Sequence, residues 1–226
     1  MTKSVLLATA AVFAMSAGIA SAAGTHPSAT TAGSHVKAQP LKAHGPAGVL
    51  YDQNNNDGGI GIVSQNFEVT FDAYDAQPAD DFVVPEGHKW KVSEVDVTGV
   101  YFNGSGPAVS ENVTFYKDKG GHPGKVVAEY DGVAGVDSFG SFAISIPKTK
   151  LKAGHYWVAV QANLDFQAGG EWGWENQSTS EGTATQWENP GDGFATGCTT
   201  WAQENVCIPD GQGDHMFALR GKDAVL

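Results

Sequence analysis

Basic residues are scarce: 13 lysines and arginines stand against 25 aspartates and glutamates, a formal net charge of −12 at pH 7. Nucleic acid and anionic membrane surfaces both repel such a balance, so neither is expected as a partner. Cysteine is nearly absent, with only Cys198 and Cys207 in the chain. Long apolar runs are confined to the first two dozen residues. Nothing later approaches the roughly 18 apolar residues of a membrane span, and none is expected. Helical spacing of apolar residues is missing as well, which excludes an amphipathic bundle. There is no Gly-x-Ser-x-Gly elbow, no His-Glu-x-x-His and no phosphate-cradling glycine loop. Enzyme signals are therefore weak.

What is present begins with an export signal. Lys3 supplies the positive start, Val5 to Ile19 is mostly apolar, and Ala20-Ser21-Ala22 fits the small-x-small cleavage rule. Residues 1–22 are read as this signal, and the mature chain is expected to be secreted, extracellular or periplasmic in transit. In that oxidising setting Cys198 and Cys207 should pair. They enclose a short loop, so the bridge would add on the order of 2–3 kcal/mol and pin that loop only.

Residues 23–48 hold Thr, Ser, Ala, Gly, Pro and His with almost no large apolar side chain, and are predicted to be a flexible leader. From Val49 the pattern becomes short β-branched and aromatic runs separated by Gly, Pro, Asn and Asp. Strands are predicted near Phe67–Phe71, Asp81–Val84, Trp90–Phe102, Asn112–Tyr116, Val126–Tyr130, Phe139–Ile146, Gly154–Ala162, Trp172–Asn176 and Met216–Arg220. Imperfect alternation around Ser93-Glu94 predicts a bulge. The run from His155 to Ala162 is apolar on both faces and should lie centrally. Gly120 to Gly124 should turn one strand back on its neighbour. The fold class that follows is all-β: a two-sheet antiparallel β-sandwich over residues 49–221, with 222–226 as a tail.

Several segments also resemble a family of bacterial secreted β-sandwich proteins. These are Ala79-Asp80-Asp81-Phe82, Val113–Tyr116 leading into Gly121–Val127, and Gly154–Ala162 followed by Gly170–Glu175. The resemblance spans most of Leu50 to Leu219 and implies a jelly-roll-like sandwich and extracellular life. It implies no catalytic residue. Some members carry C-terminal sorting tails, whereas Gly221 to Leu226 shows no such signal and no anchor is expected.

Three groups of residues are candidates for function. Asp52, Asn54, Asn56 and Asp57 place oxygen side chains in the pattern of a calcium loop, although Asp57 stands where such a loop has glycine and Val63 where it has glutamate. Calcium is thus the one cofactor expected, with an Asn/Asp-Gly turn as the alternative. Asp80 and Asp81 are adjacent in a strand and point to opposite faces; one would bind a cation or cap a turn and the other face water. Trp172, Trp174, Trp187 and Trp201 form an aromatic tract. Exposed, they would stack sugar rings, with Glu171, Glu175, Asn176 and Gln177 as polar contacts; buried, they would fill the core.

The function expected is a secreted non-catalytic binding or surface-interaction module. Its partner would be an extracellular polysaccharide or a cell-surface component. The alternatives are an exported polysaccharide hydrolase working through Glu171, Glu175 or Asp165, and a structural matrix component without a small ligand.

Overall fold

Period-two patterning and glycine-rich turns produce thirteen strands among the described residues of the computed structural model, which are 25–33, 36–39, 41, 47–211 and 213–225. The expected export signal over 1–22 lies outside them. In chain order the strands are β1 (Gly48–Asp52), β2 (Asp57–Val63), β3 (Gln65–Asn66), β4 (Gln77–Val97), β5 (Gly99–Phe102), β6 (Ser110–Asp118) and β7 (Pro123–Val133). There follow β8 (Val136–Ser138), β9 (Ser141–Asn163), β10 (Glu171–Gln177), β11 (Gln186–Glu188), β12 (Ala202–Gln203) and β13 (Phe217–Val225). Two one-turn helices interrupt them, α1 (Phe166–Gly169) and α2 (Glu204–Cys207).

The fold is an all-β sandwich. Its large sheet runs β1-β13-β4-β9-β6-β7, and a small sheet runs β2-β10-β5. All of these neighbours pair antiparallel. β9 is central and buried on both faces from Tyr156 to Val160, as its doubly apolar sequence requires. Register shifts between Val92 and Glu94, which is where the sequence lost its alternation. The Gly120–Gly124 turn joins β6 to β7 with Asp118 opposite Pro123. Between the sheets lies the main core, where Phe82, Val92, Phe142, Ile144 and Phe217 meet Trp172 and Trp174 from β10. Full burial of each large side chain stabilises the fold by roughly 1.5–3 kcal/mol.

Four expectations need correction. The run predicted as one strand over Trp90–Phe102 is divided at Thr98, and β5 belongs to the small sheet. Phe67–Phe71 is not a strand; the chain enters a 3-10 turn over Val69–Tyr74. There the Phe67 and Phe71 rings both pack on Phe166, and Asp75 accepts the Phe67 N–H at 2.7 Å. Part of the leader is also ordered. Thr30 bridges Ile62, with Thr31 N donating to Gly61 O at 2.9 Å and Val63 N to Ala29 O at 3.0 Å. β2 would otherwise be an open edge, and backbone pairing needs no apolar side chain. Lastly, residues 222–225 are no tail: they extend β13 along β4.

Candidate functional site

β10 supplies two opposite faces, and both are covered. Trp172 and Trp174 share one face, as their spacing requires, and both are fully buried. Their indole N–H groups donate to Gly140 O at 2.6 Å and Met216 O at 2.9 Å. Trp187 is fully buried in a second cluster with Ile62, Phe67 and Phe166. A stacked sugar needs an accessible ring face, so the expected ligand surface on Trp172, Trp174 and Trp187 is corrected to a core role. Trp201 is half-buried and packs edge-on against Tyr116, with ring centroids 5.7 Å apart.

The side chains of the 52–57 loop are engaged within the protein, two in its own turns and two with distant hydroxyls. Asp52 accepts the Asn54 N–H at 2.9 Å, Asp57 accepts the Gly59 N–H at 2.7 Å, and Asn54 Oδ1 accepts from Thr98 Oγ1 at 2.5 Å. Asn56 reaches Thr179 instead. Among the described residues, no three His, Cys, Asp or Glu side chains gather where a metal ion could sit.

On the other face of β10, Glu171 accepts Ser28 N at 2.7 Å and Asn103 Nδ2 at 2.6 Å. Burial pushes it up to about 8. Burial also pushes Glu175 up to about 8, with Asp57 adding to the rise. Four residues of extended strand separate the two carboxyls by about 13 Å, beyond the spacing of a glycosidase pair. Glu171 is covered by residues of the N-terminal segment. Asp165 is exposed before α1, where its carbonyl accepts the Ala168 and Gly169 N–H groups.

Polar groups converge elsewhere, where the 176–185 segment meets the 204–214 segment. The disulfide Cys198–Cys207, with Cα atoms 5.9 Å apart, anchors α2 at this place. α2 carries the buried Glu204. Its Oε2 lies 2.8 Å from His215 Nε2, and its Oε1 accepts Asn176 Nδ2 at 3.1 Å. Asn176 and His215 face one another in an isolated bridge, and the imidazole stacks on Trp174 at 4.7 Å. Three buried atoms here have no protein partner: Asn176 Oδ1, Asp214 Oδ1 and His215 Nδ1. Two recesses of about 500 and 470 Å³ open beside this group and meet at Ser180 and Gly213. Glu204 lines the first and Asn176 the second.

Asp80 and Asp81 support this cleft, and neither faces water. Asp80 Oδ2 accepts His215 N at 2.6 Å and Gln53 Nε2 at 2.7 Å. Burial and the neighbouring Asp214 raise the Asp80 carboxyl, and its N–H donors pull it back. Asp81 turns the other way, accepting Thr183 N at 2.9 Å and facing His155 Nε2 at 2.5 Å. Burial raises it, against those two partners. The two side chains tie both walls of the cleft to the sheet. Chemically, the floor offers acceptors in an acidic surround. The His215 ring has no exposed atom, so it cannot exchange a proton with a bound substrate.

Sequence reasoning places none of Glu204, Asp214 or His215 in a site, and its ligand surface includes Asn176 as a polar contact beside exposed tryptophans. The available signal was local: polar residues flanking Gly211 and Gly213, close after the cysteine pair. Comparison with known proteins returns no match to a family model, a curated protein or a solved structure.

Proposed function

We propose that this chain is an exported β-sandwich binding module, akin to the bacterial secreted family it resembles, that holds a polyhydroxylated ligand in the polar cleft. The observation that carries this reading is the pair of recesses joined at Ser180 and Gly213 and lined with polar side chains, among them Thr183, Asn205, Gln177, Ser178 and Asp210. Ligand hydroxyls can both donate to and accept from such side chains, each hydrogen bond contributing about 0.5–1.5 kcal/mol net. An acidic surround favours a donor-rich ligand over an anion. Extracellular polysaccharide fits both conditions. Binding would rest on hydrogen bonds rather than on stacking, since no tryptophan lines either recess. The reading assigns no cation to the 52–57 loop and no catalytic step to Glu171, Glu175 or Asp165.

Ser180 is exposed and stands where the recesses join. Ser180→Trp should fill both without touching the core. The test is retention of the mature chain on a panel of insoluble and arrayed neutral polysaccharides. Retention of the wild type on at least one polymer, lost in Ser180→Trp at an unchanged melting midpoint, is the expected result. No retention on any polymer would favour the structural-component alternative and sink the proposal.

A further inference from the structure

Six of the chain's twelve lysines gather at one corner of the large sheet: Lys89, Lys91, Lys148, Lys150, Lys152 and Lys222. Lys91 is paired directly with Lys150 on β9 and with Lys222 on β13, and Lys89 with Lys152. Residues directly opposite in antiparallel strands share a face, and like charges so placed repel. Lysine often guards an open sheet edge, but Lys91 has a paired strand on each side and guards none. No ion pair among the described residues involves any of the six. Two carboxylates close in sequence on these strands face other partners: Glu94 meets Arg220 at 3.6 Å, and Asp223 meets His88 at 2.6 Å.

A recess of about 410 Å³ opens among Lys91, Lys148 and Lys222, beside Ser93. Its origin is local. Gly48 and Gly221 pair across β1 and β13, so two adjacent positions carry no side chain. A Cβ at Gly221 would collide with the Lys91 carbonyl oxygen, so the register shift of β13 at this point requires glycine. The result is a depression floored by backbone and walled by lysine stems, on a protein that is otherwise strongly acidic.

The geometry points to a binding site for an acidic polysaccharide chain, its carboxylate or sulfate groups held by this lysine grid. A single small anion would leave most of the recess empty and Lys89, Lys150 and Lys152 unused. Ammonium groups repeating about every 5 Å across strands suit a ligand that carries charge at intervals along its length. Nucleic acid and lipid surfaces are also polyanions. They extend well past this corner, however, and would meet the surrounding acidic surface, which repels them. A flexible, narrow chain avoids that contact. The site lies on different residues from the polar cleft and does not depend on it.

The test uses the mature chain in affinity electrophoresis with polygalacturonate, against uncharged dextran, a single-stranded oligonucleotide and phosphatidylglycerol vesicles. Polygalacturonate should bind the wild type while dextran does not. Lys91→Gln with Lys222→Gln should weaken that binding at least about tenfold, as loss of two charge-assisted contacts implies. Lys119→Gln with Lys125→Gln, which removes the same charge elsewhere, should leave binding unchanged. Added salt should weaken it, since the grid is solvent-exposed. No binding to polygalacturonate, an equal loss in both double variants, or tighter binding to the oligonucleotide or the vesicles would overturn the assignment.

Discussion

Gly213 shows how much a single residue sets in this fold. Its φ is +83°, and a Cβ there would strike the Gln177 carbonyl oxygen. Gly213→Ala should therefore cost about 1–3 kcal/mol from backbone strain alone and push the 209–214 loop off the Asn176 side of the cleft. Thermal melting and polysaccharide retention should fall together; an unchanged midpoint would mean that the loop relaxes without cost. The tryptophans mark the limit of sequence reading at this scale. Their two-residue spacing correctly put Trp172 and Trp174 on one side of a strand. Alternation cannot say which side is wet when both are covered, and the glutamates on the other face, Glu171 and Glu175, are buried too. Glu204 and His215 were illegible for a different reason. They meet only because a disulfide-anchored turn and the start of the last strand converge in space.

Among the elements, the N-terminal segment departs furthest from its composition. Few of its side chains are large and apolar, so it reads as unstructured, yet its backbone completes the edge of β2 and Ser28 caps Glu171. Composition reports what a segment can bury, not which open edge awaits it. Deleting residues 25–33 should expose the β2 edge and leave Glu171 without one donor. The expected outcome is a lower melting midpoint, by several kcal/mol of lost pairing at about 1 kcal/mol per hydrogen bond, together with self-association on size exclusion. A monomeric deletion with the wild-type midpoint would show that the segment contributes nothing. The long strands were legible in pieces for a related reason. Breakers such as Pro85 and Gly87, or Pro147 and Gly154, read as strand ends. In the fold β4 and β9 carry them as irregularities and stay paired with each other on both sides of the breaks, from Ala79 opposite Ala159 to Val97 opposite Phe142, a persistence that only cross-strand partners can enforce.

Across the whole molecule, buried carboxyls should make stability depend on pH in an unusual direction. Burial holds Glu171 and Glu175 up at about 8 and Glu111 at about 7, against an ordinary value of 4.5 for each. Between 4.5 and those values the folded protein keeps protons that the unfolded chain has released. Their stabilising contribution is thus whole only below about 4.5, falls as pH rises above it, and is gone once pH has passed 7 for Glu111 and 8 for the other two. In that window each group removes up to about 1.4 kcal/mol per pH unit. Asp118 works oppositely: burial raises it, but the Trp157 N–H, the Gly121 N–H and the His155 charge outweigh that and hold it low. Its contribution is lost only in stronger acid. The melting midpoint should therefore decline from about pH 5 to about pH 8 at constant ionic strength, and Glu171→Gln should flatten that decline by removing one titrating group. A midpoint that rises over the same range, or a variant with the wild-type slope, would show that these carboxyls are ionised in the folded protein and that its interior is better solvated than its packing implies.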